Sequence, residues 1–150
     1  MYPVCVRYVG REVAKDVLQD GFVTVFNKIG TFKGEGSFAG WLRRIFVNTA
    51  LMELRKNDVL KASREMDSVP EVSLGTNDYG AVEQLSAKEL LVLVSEMPAG
   101  FRSVFNLFVI EGYSHAEIAE MLGINEASSR SQLSRARVWM QERIKKLYDR

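Results

Sequence analysis

The chain is poor in the residues on which metal, redox and nucleophilic chemistry depend. Its 150 residues include one cysteine, Cys5, and one histidine, His115. A single cysteine excludes an internal disulfide framework and a cysteine-rich zinc site. Cys5 reads most simply as a small buried hydrophobe in a reducing cytoplasm. His115 stands alone in a polar helix start, where no triad can be built around it, and reads as a solvated or phosphate-near side chain. No apolar run approaches the length of a membrane span, and Met1 is not followed by a charged-then-apolar signal pattern, so no membrane insertion is expected. The stretch GTFKGEGSF, with Gly30, Gly34 and Gly36, is glycine-rich. It lacks the order of a phosphate-cradling loop, GxxxxGK followed by Ser or Thr, and no strand precedes it. No enzyme activity, cofactor or metal is expected.

Charge is nearly balanced overall, at +1, but unevenly spread. Residues 1–56 carry nine basic and five acidic side chains, residues 57–100 three and eight, and residues 101–150 eight and six. From Arg130 to Lys146 six are basic against Glu142 alone. Basic ends around an acidic middle suit a protein that touches nucleic acid at two places, although an ordinary solvated surface has the same look.

Apolar residues make up 47% of the chain, enough to bury a core, and their spacing is helical throughout. From Arg11 to Ile29 they fall at Val13, Val17, Leu18, Phe22, Val25, Phe26 and Ile29, an amphipathic pattern. Ser37 then has the place of an N-cap for a helix through Lys56, with Phe38, Trp41, Leu42, Ile45, Thr49 and Met52 as its expected buried stripe. Residues 57–80 lose this periodicity, are acidic and polar, and contain Pro70, Gly75, Asn77 and Gly80, the composition of a linker. Helical spacing restarts near Ala81. Ser86 and Glu89 form a capping-box spacing before Leu90, Leu91, Leu93, Val94 and Met97. Pro98 and Gly100 separate that helix from one lined by Phe101, Val104, Phe105 and Phe108, which Gly112 can close.

The most telling stretch is YSHAEIAEMLGINEASSRSQLSRAR, residues 113–137. Ser114 and Glu117 repeat the capping-box spacing. Ile118, Ala119, Met121 and Leu122 give a short apolar face, with Ala119 small where another helix must cross closely. Gly123 sits where a sharp turn calls for positive φ, and Asn125 is placed to cap the next helix. That helix carries Leu133, Ala136, Met140, Ile144 and Leu147 on one face, while Arg130, Ser131, Ser134, Arg135 and Arg137 lie largely on the others. These are the marks of a helix-turn-helix, whose second helix enters the DNA major groove. An ordinary helical hairpin shares some of them; the coincidence of caps, turn glycine and basic face favours DNA binding. The expected fold is all-α: two small helical domains, 1–56 and 81–150, joined by a flexible linker at 57–80, the second a four-helix domain with the helix-turn-helix.

Together GSFAGWLRRIFVNTALMELRK and the helix-turn-helix make the chain resemble an RNA polymerase sigma factor of the extracytoplasmic-function type. DVLQDGFVTVF resembles the part of the second sigma region that grips the polymerase clamp helices. TFKGEGSFAGWLRRIFVNTALMELRK resembles the part that opens the promoter and reads its minus-ten element. MPAGFRSVFNLFVIEGYSHAEIAEMLGINEASSRSQLSRAR resembles the fourth region, which reads the minus-thirty-five element. Family members usually carry further residues before the position of Met1, so MYPVCVRYVG is expected to begin inside the second region. Ser128 and Ser129 stand where many members have Thr and an aliphatic residue, and a polar Ser129 is expected to weaken the packing of the recognition helix.

The resemblance implies three sets of contacts. Ser128, Arg130, Ser131, Ser134, Arg135 and Arg137 would meet duplex DNA, where a bidentate arginine–guanine pair contributes about 1–3 kcal/mol of discrimination. Lys33, Ser37, Arg44, Asn48 and Arg55 would meet the opening promoter. Asp16, Gln19, Asp20 and Asn27 would meet the polymerase. Trp41 could receive an unstacked base, but its place on the apolar stripe favours core packing. The implied partners are core RNA polymerase, promoter DNA and an anti-sigma factor, in the cytoplasm. Two competing readings stay open. One is a stand-alone helix-turn-helix regulator; the other is a shortened sigma-like module that occupies polymerase or an inhibitor without starting transcription.

Overall fold

The computed structural model describes residues 1–56 and 86–149, and the linker expected at 57–80 lies outside them. The described residues contain helices and no strand. The chain divides into two compact units, Met1–Val59 and Leu60–Arg150.

The first unit holds three helices where the spacing predicted two. Helix α1, Tyr2–Val9, begins with Pro3 in its first turn, a place where the missing N–H costs nothing. It buries Val4, Cys5, Arg7 and Tyr8 against α2 and α3. Eight residues are too few to display a helical period, which is why the spacing did not show it. Gly10, at φ 78°, ends α1 and lets α2, Arg11–Lys28, start at once. A short 3-10 turn, Ile29–Thr31, follows, and then a loop in which Gly34 and Gly36 take positive φ. Helix α3 runs from Phe38 to Lys56, and Ser37 starts it as expected: the Gly40 N–H donates to Ser37 Oγ at 3.2 Å.

The buried faces differ from the expected stripes. Helix α2 buries Ala14, Val17, Gly21 and Val25, while Phe22 and Ile29 are exposed and Phe26 is 75% exposed. Helix α3 buries Ile45, Phe46, Val47, Ala50, Leu51 and Leu54, leaving Phe38 exposed and Met52 65% exposed. Two physical reasons account for this. Close helix crossings select small residues, so Ala14 and Gly21 take the contact and the larger rings stay outside. The middle of α3 is apolar on most sides, so two stripes compete, and packing of α1 as well as α2 against it decides for the wider one.

The first helix among the described residues of the second unit is α4, Ala87–Glu96, whose capping box forms as expected. The Ser86 N–H donates to Glu89 Oε2 at 2.9 Å and the Glu89 N–H to Ser86 Oγ at 3.3 Å. The Ser86 hydroxyl also donates to Glu89 Oε2 at 2.7 Å, and this bond first, then the one from the Ser86 N–H, holds the Glu89 carboxyl below its ordinary pKa. Helix α5, Ala99–Phe105, widens into a π turn at Asn106–Ile110, and Gly112 at φ 79° follows. Helices α6, His115–Leu122, and α7, Glu126–Tyr148, complete the unit. Leu93, Val94 and Met97 meet Ala136, Met140 and Ile144 in one cluster, with Phe101, Phe105 and Trp139 at its border. The expected stripe of α7 holds as far as Ile144. Leu147, one turn on, is 52% exposed, because the 23-residue helix outruns the shorter helices it packs against. No helix among the described residues is long and apolar enough to cross a membrane.

Candidate nucleic-acid interface

Helices α6 and α7 and the turn between them are built by local hydrogen bonds that the sequence announces. The Glu117 N–H donates to Ser114 Oγ at 3.2 Å, and the Ser114 hydroxyl donates to Glu117 Oε1 at 3.0 Å. Gly123 takes the left-handed conformation at φ 64°, and the Ile124 N–H reaches back to the Ala119 carbonyl at 3.0 Å. Asn125 Oδ1 accepts from the Ser128 N–H at 2.7 Å and starts α7. Ile118, Ala119 and Leu122 of α6 are buried, as are Ser129, Gln132, Leu133 and Ala136 of α7.

With that face sealed, the opposite side of α7 presents its polar residues. Arg130, Ser134 and Arg137 follow one another at spacings of four and three and so share a row. Arg130 and Arg137 are exposed and Ser134 is half-buried. Arg130 lies 3.5 Å from Glu126, both side chains more than half exposed, an ion pair of little energetic weight. Ser128, Ser131 and Arg135 form a neighbouring, half-buried row. Arg135 differs from Arg130 and Arg137 because its Nε is enclosed. Its aliphatic stem and part of its head belong to the packing of the unit.

Two expectations about this motif need correction. Ser129 does not weaken the packing: it is fully buried, and its Oγ shares a 2.8 Å hydrogen bond with His115 Nδ1. A buried hydroxyl is tolerated where it finds such a partner. Nor is His115 simply solvated. Its ring stacks on Phe108, centroids 4.5 Å apart and planes 18° from parallel. Burial, and after it the nearby positive charges of Arg130 and Arg137, push its pKa below the ordinary value, with Glu126 opposing.

The first unit gathers its candidate residues around the glycine loop and along α3. Lys33, Ser37, Arg44, Asn48 and Arg55 are all exposed. Arg44, Asn48 and Arg55 share a face of α3 by their spacing. Trp41 is not part of the unit's deep core. It is half-buried in an aromatic cluster with Phe32 and Phe38, at centroid distances of 5.3 and 5.6 Å, and Phe32 and Phe38 stand 5.3 Å apart. The cluster joins the two ends of the Lys33–Ser37 loop. Phe32 was not singled out from the sequence; an aromatic on each side of a glycine-rich turn was the available signal.

Asp16, Gln19, Asp20 and Asn27 are exposed on α2. Asp20 borders an open groove between α2 and α3, lined also by Val23, Thr24, Thr49, Met52, Glu53 and Lys56. Thr24 and Thr49 turn their hydroxyls onto their own helices, donating to the Asp20 and Ile45 carbonyls, so their methyl groups add to the apolar lining of Val23 and Met52. Val23 and Met52 were missing from the sequence-based set because an apolar residue in a helix reads as core.

Two helical units, the second closing with a helix-turn-helix whose outer row is basic, define the class of protein. Comparison with known proteins narrows it. Residues 1–59 match the family model described as sigma-70 region 2, and residues 87–140 match that of sigma-70 region 4. The ECF RNA polymerase sigma-E factor of Haemophilus influenzae is 30% identical over 150 residues, covering 94% of this chain and 79% of its own. The protein of the same name in Escherichia coli is 28% identical over 155 residues, covering 96% of this chain and 80% of its own. A solved sigma factor RpoE from Bartonella quintana, in complex with the anti-sigma factor NepR, has the same fold. It superposes with a TM-score of 0.59 at 22% identity, covering 96% of this chain and 89% of its own. The chain belongs to the sigma-70 family of RNA polymerase sigma factors, in its extracytoplasmic-function group.

Proposed function

We propose that this sigma factor binds core RNA polymerase and directs it to particular promoters. The observation that carries the reading is the pairing, in family order, of a region 2 unit and a region 4 unit, each with an exposed basic or polar surface of its own. In the second unit, α7 enters the major groove at the minus-thirty-five element. Arg130 and Arg137 form the outer row that meets phosphates and base edges, and Ser128, Ser131 and Ser134 add shorter-range hydrogen bonds.

In the first unit, the loop from Lys33 to Ser37 and the rings of Phe32, Phe38 and Trp41 receive a base that leaves the stack at the minus-ten element. Aromatic faces offset the cost of unstacking, about 1–3 kcal/mol per stacked base. Arg44, Asn48 and Arg55 hold the neighbouring backbone. Asp16, Gln19, Asp20 and Asn27, with the groove beside Asp20, meet the polymerase.

An anti-sigma factor is the remaining partner. The Bartonella relative is solved with one, and the exposed apolar residues of α2, Phe22 and Phe26, would be covered by a partner of that kind. The site of action is the cell interior, where polymerase and promoter are.

Nuclease footprinting of core polymerase with and without the full chain, across a library of genomic fragments, tests this. Two protected blocks upstream of the start site, present only when the chain is added, are expected. Binding to polymerase with no protected upstream block would favour a module that occupies the enzyme without recognising DNA. Protection of a palindrome without polymerase would favour a stand-alone regulator.

A further inference from the structure

The motif contains a polar contact that the reading above leaves unused. Ser129 is fully buried in the first turns of α7, between two residues placed at the DNA, Ser128 and Arg130. Ile118, Ala119 and Leu122 of α6 and Leu133 and Ala136 of α7 are also buried, and all are aliphatic. Aliphatic contact is non-directional and leaves a helix some freedom to roll or slide. A hydrogen bond is directional and removes that freedom.

The partner of Ser129 is itself held. His115 Nδ1 takes the 2.8 Å bond while the ring lies flat on Phe108, 4.5 Å away. Phe108 belongs to the π turn Asn106–Ile110, a local widening of the preceding helix that sets where its ring points. Three successive elements thus meet at one imidazole: the π turn, the first residue of α6 and the buried side of α7.

We infer that His115 is a positioning residue for promoter selectivity: through Ser129 it fixes the roll of the first turns of α7, and with it the aim of Ser128 and Arg130. Recognition geometry must be held within about 0.5 Å and 10–20° by the residues behind it. A contact of this kind governs discrimination between sequences more than general attraction to DNA, which comes from charge and tolerates small rotations. The inference rests on the reading of α7 as the DNA-contacting helix.

The test uses holoenzyme assembled from core polymerase and the full chain, with duplexes selected from a pool randomised across the upstream element. Selectivity is the affinity for the selected duplex relative to a shuffled one. His115→Phe keeps a flat ring on Phe108 but offers Ser129 no partner. The Ser129 hydroxyl can then turn back onto the Asn125 carbonyl one helical turn earlier, as Ser103 does onto Ala99, so the variant is expected to lose about three- to tenfold in selectivity while retaining thermal stability. His115→Asn places a polar atom near the position of Nδ1 but gives up most of the stacking. It is expected to keep selectivity within about twofold at a lower melting temperature. That opposite ordering of stability and selectivity is what a merely structural role cannot give. Ser129→Ala should match His115→Phe, and the double variant should lose no more than either single one. Unchanged selectivity in His115→Phe, or losses that add in the double variant, would overturn the inference. A wild-type holoenzyme that selects no upstream sequence would instead fail the reading on which it rests.

Discussion

The ring of Phe46 in α3 lies directly on the α-carbon of Gly21 in α2, so close that a Cβ added there would collide with Cε1 and Cδ1 of the ring. Both positions are buried, and the contact sits at the crossing of the two helices. Phe22, next along α2, packs edge-on against the same ring at 5.1 Å.

Gly21→Ala therefore opposes two effects. Alanine gains about 1 kcal/mol of helix propensity. Overpacking a rigid aromatic contact costs about 1–3 kcal/mol, and the buried ring has little room to retreat. Net destabilisation of the first unit is expected, seen as a lower midpoint in urea and weakened binding to core polymerase. A more stable Gly21→Ala protein would show that the helices separate easily.

Arg130 and Arg137 are the exposed pair on the outer row of α7, whereas Arg135 is partly packed. Replacing Arg130 and Arg137 together by alanine should weaken promoter binding and flatten the dependence of log affinity on log salt by about 2. Polymerase binding should persist. Arg135→Ala should act chiefly on the stability of the second unit. An equal loss of DNA and polymerase binding in the Arg130, Arg137 variant would contradict this separation.

The aromatic cluster predicts a different defect. Phe32→Ala and Trp41→Ala should leave the closed promoter complex intact and impair opening, at about 1–3 kcal/mol for each stacking face removed. Permanganate reactivity of unpaired thymines reports this directly. Normal reactivity in both variants would remove the rings from the opening step.

The carboxylate of Asp20 lies at the edge of the α2–α3 groove. Asp20→Arg should lower affinity for core polymerase severalfold without changing the melting temperature, since the side chain is exposed. Unchanged affinity in a quantitative pull-down would move the docking surface elsewhere.

His115 makes the stability of the second unit depend on pH. Its pKa in the folded chain is lower than the ordinary value of 6.5, so the unfolded chain binds the proton more readily. The contribution of the neutral ring is complete above that value and is lost as pH falls through it towards the folded pKa. Urea unfolding between about pH 5 and 8 should show stability rising with pH in the lower part of the range. His115→Phe should remove that slope.

The local signals in the sequence were the ones that survived folding. Ser86, Ser114, Gly123 and Asn125 cap or close helices through bonds within four or five residues, so the chemistry that sets them is contained in the motif. The orientation of each helix was less legible. Phe26 and Met52 are apolar yet face outward, and Gly21 is buried, because which side of a helix is covered depends on neighbours distant in the chain. Ser129 shows the same limit for a polar residue. Its burial could be foreseen only with His115, fourteen residues away, and that pairing exists only once the turn has brought the two helices together.

Run-off transcription with purified core polymerase tests the central claim most directly. The account predicts that adding the full chain produces transcripts from a small set of fixed start sites, and that the Arg130, Arg137 double variant loses them while still entering the enzyme. Stable association of the wild-type chain with core polymerase, with no start site gained on any template, would contradict it.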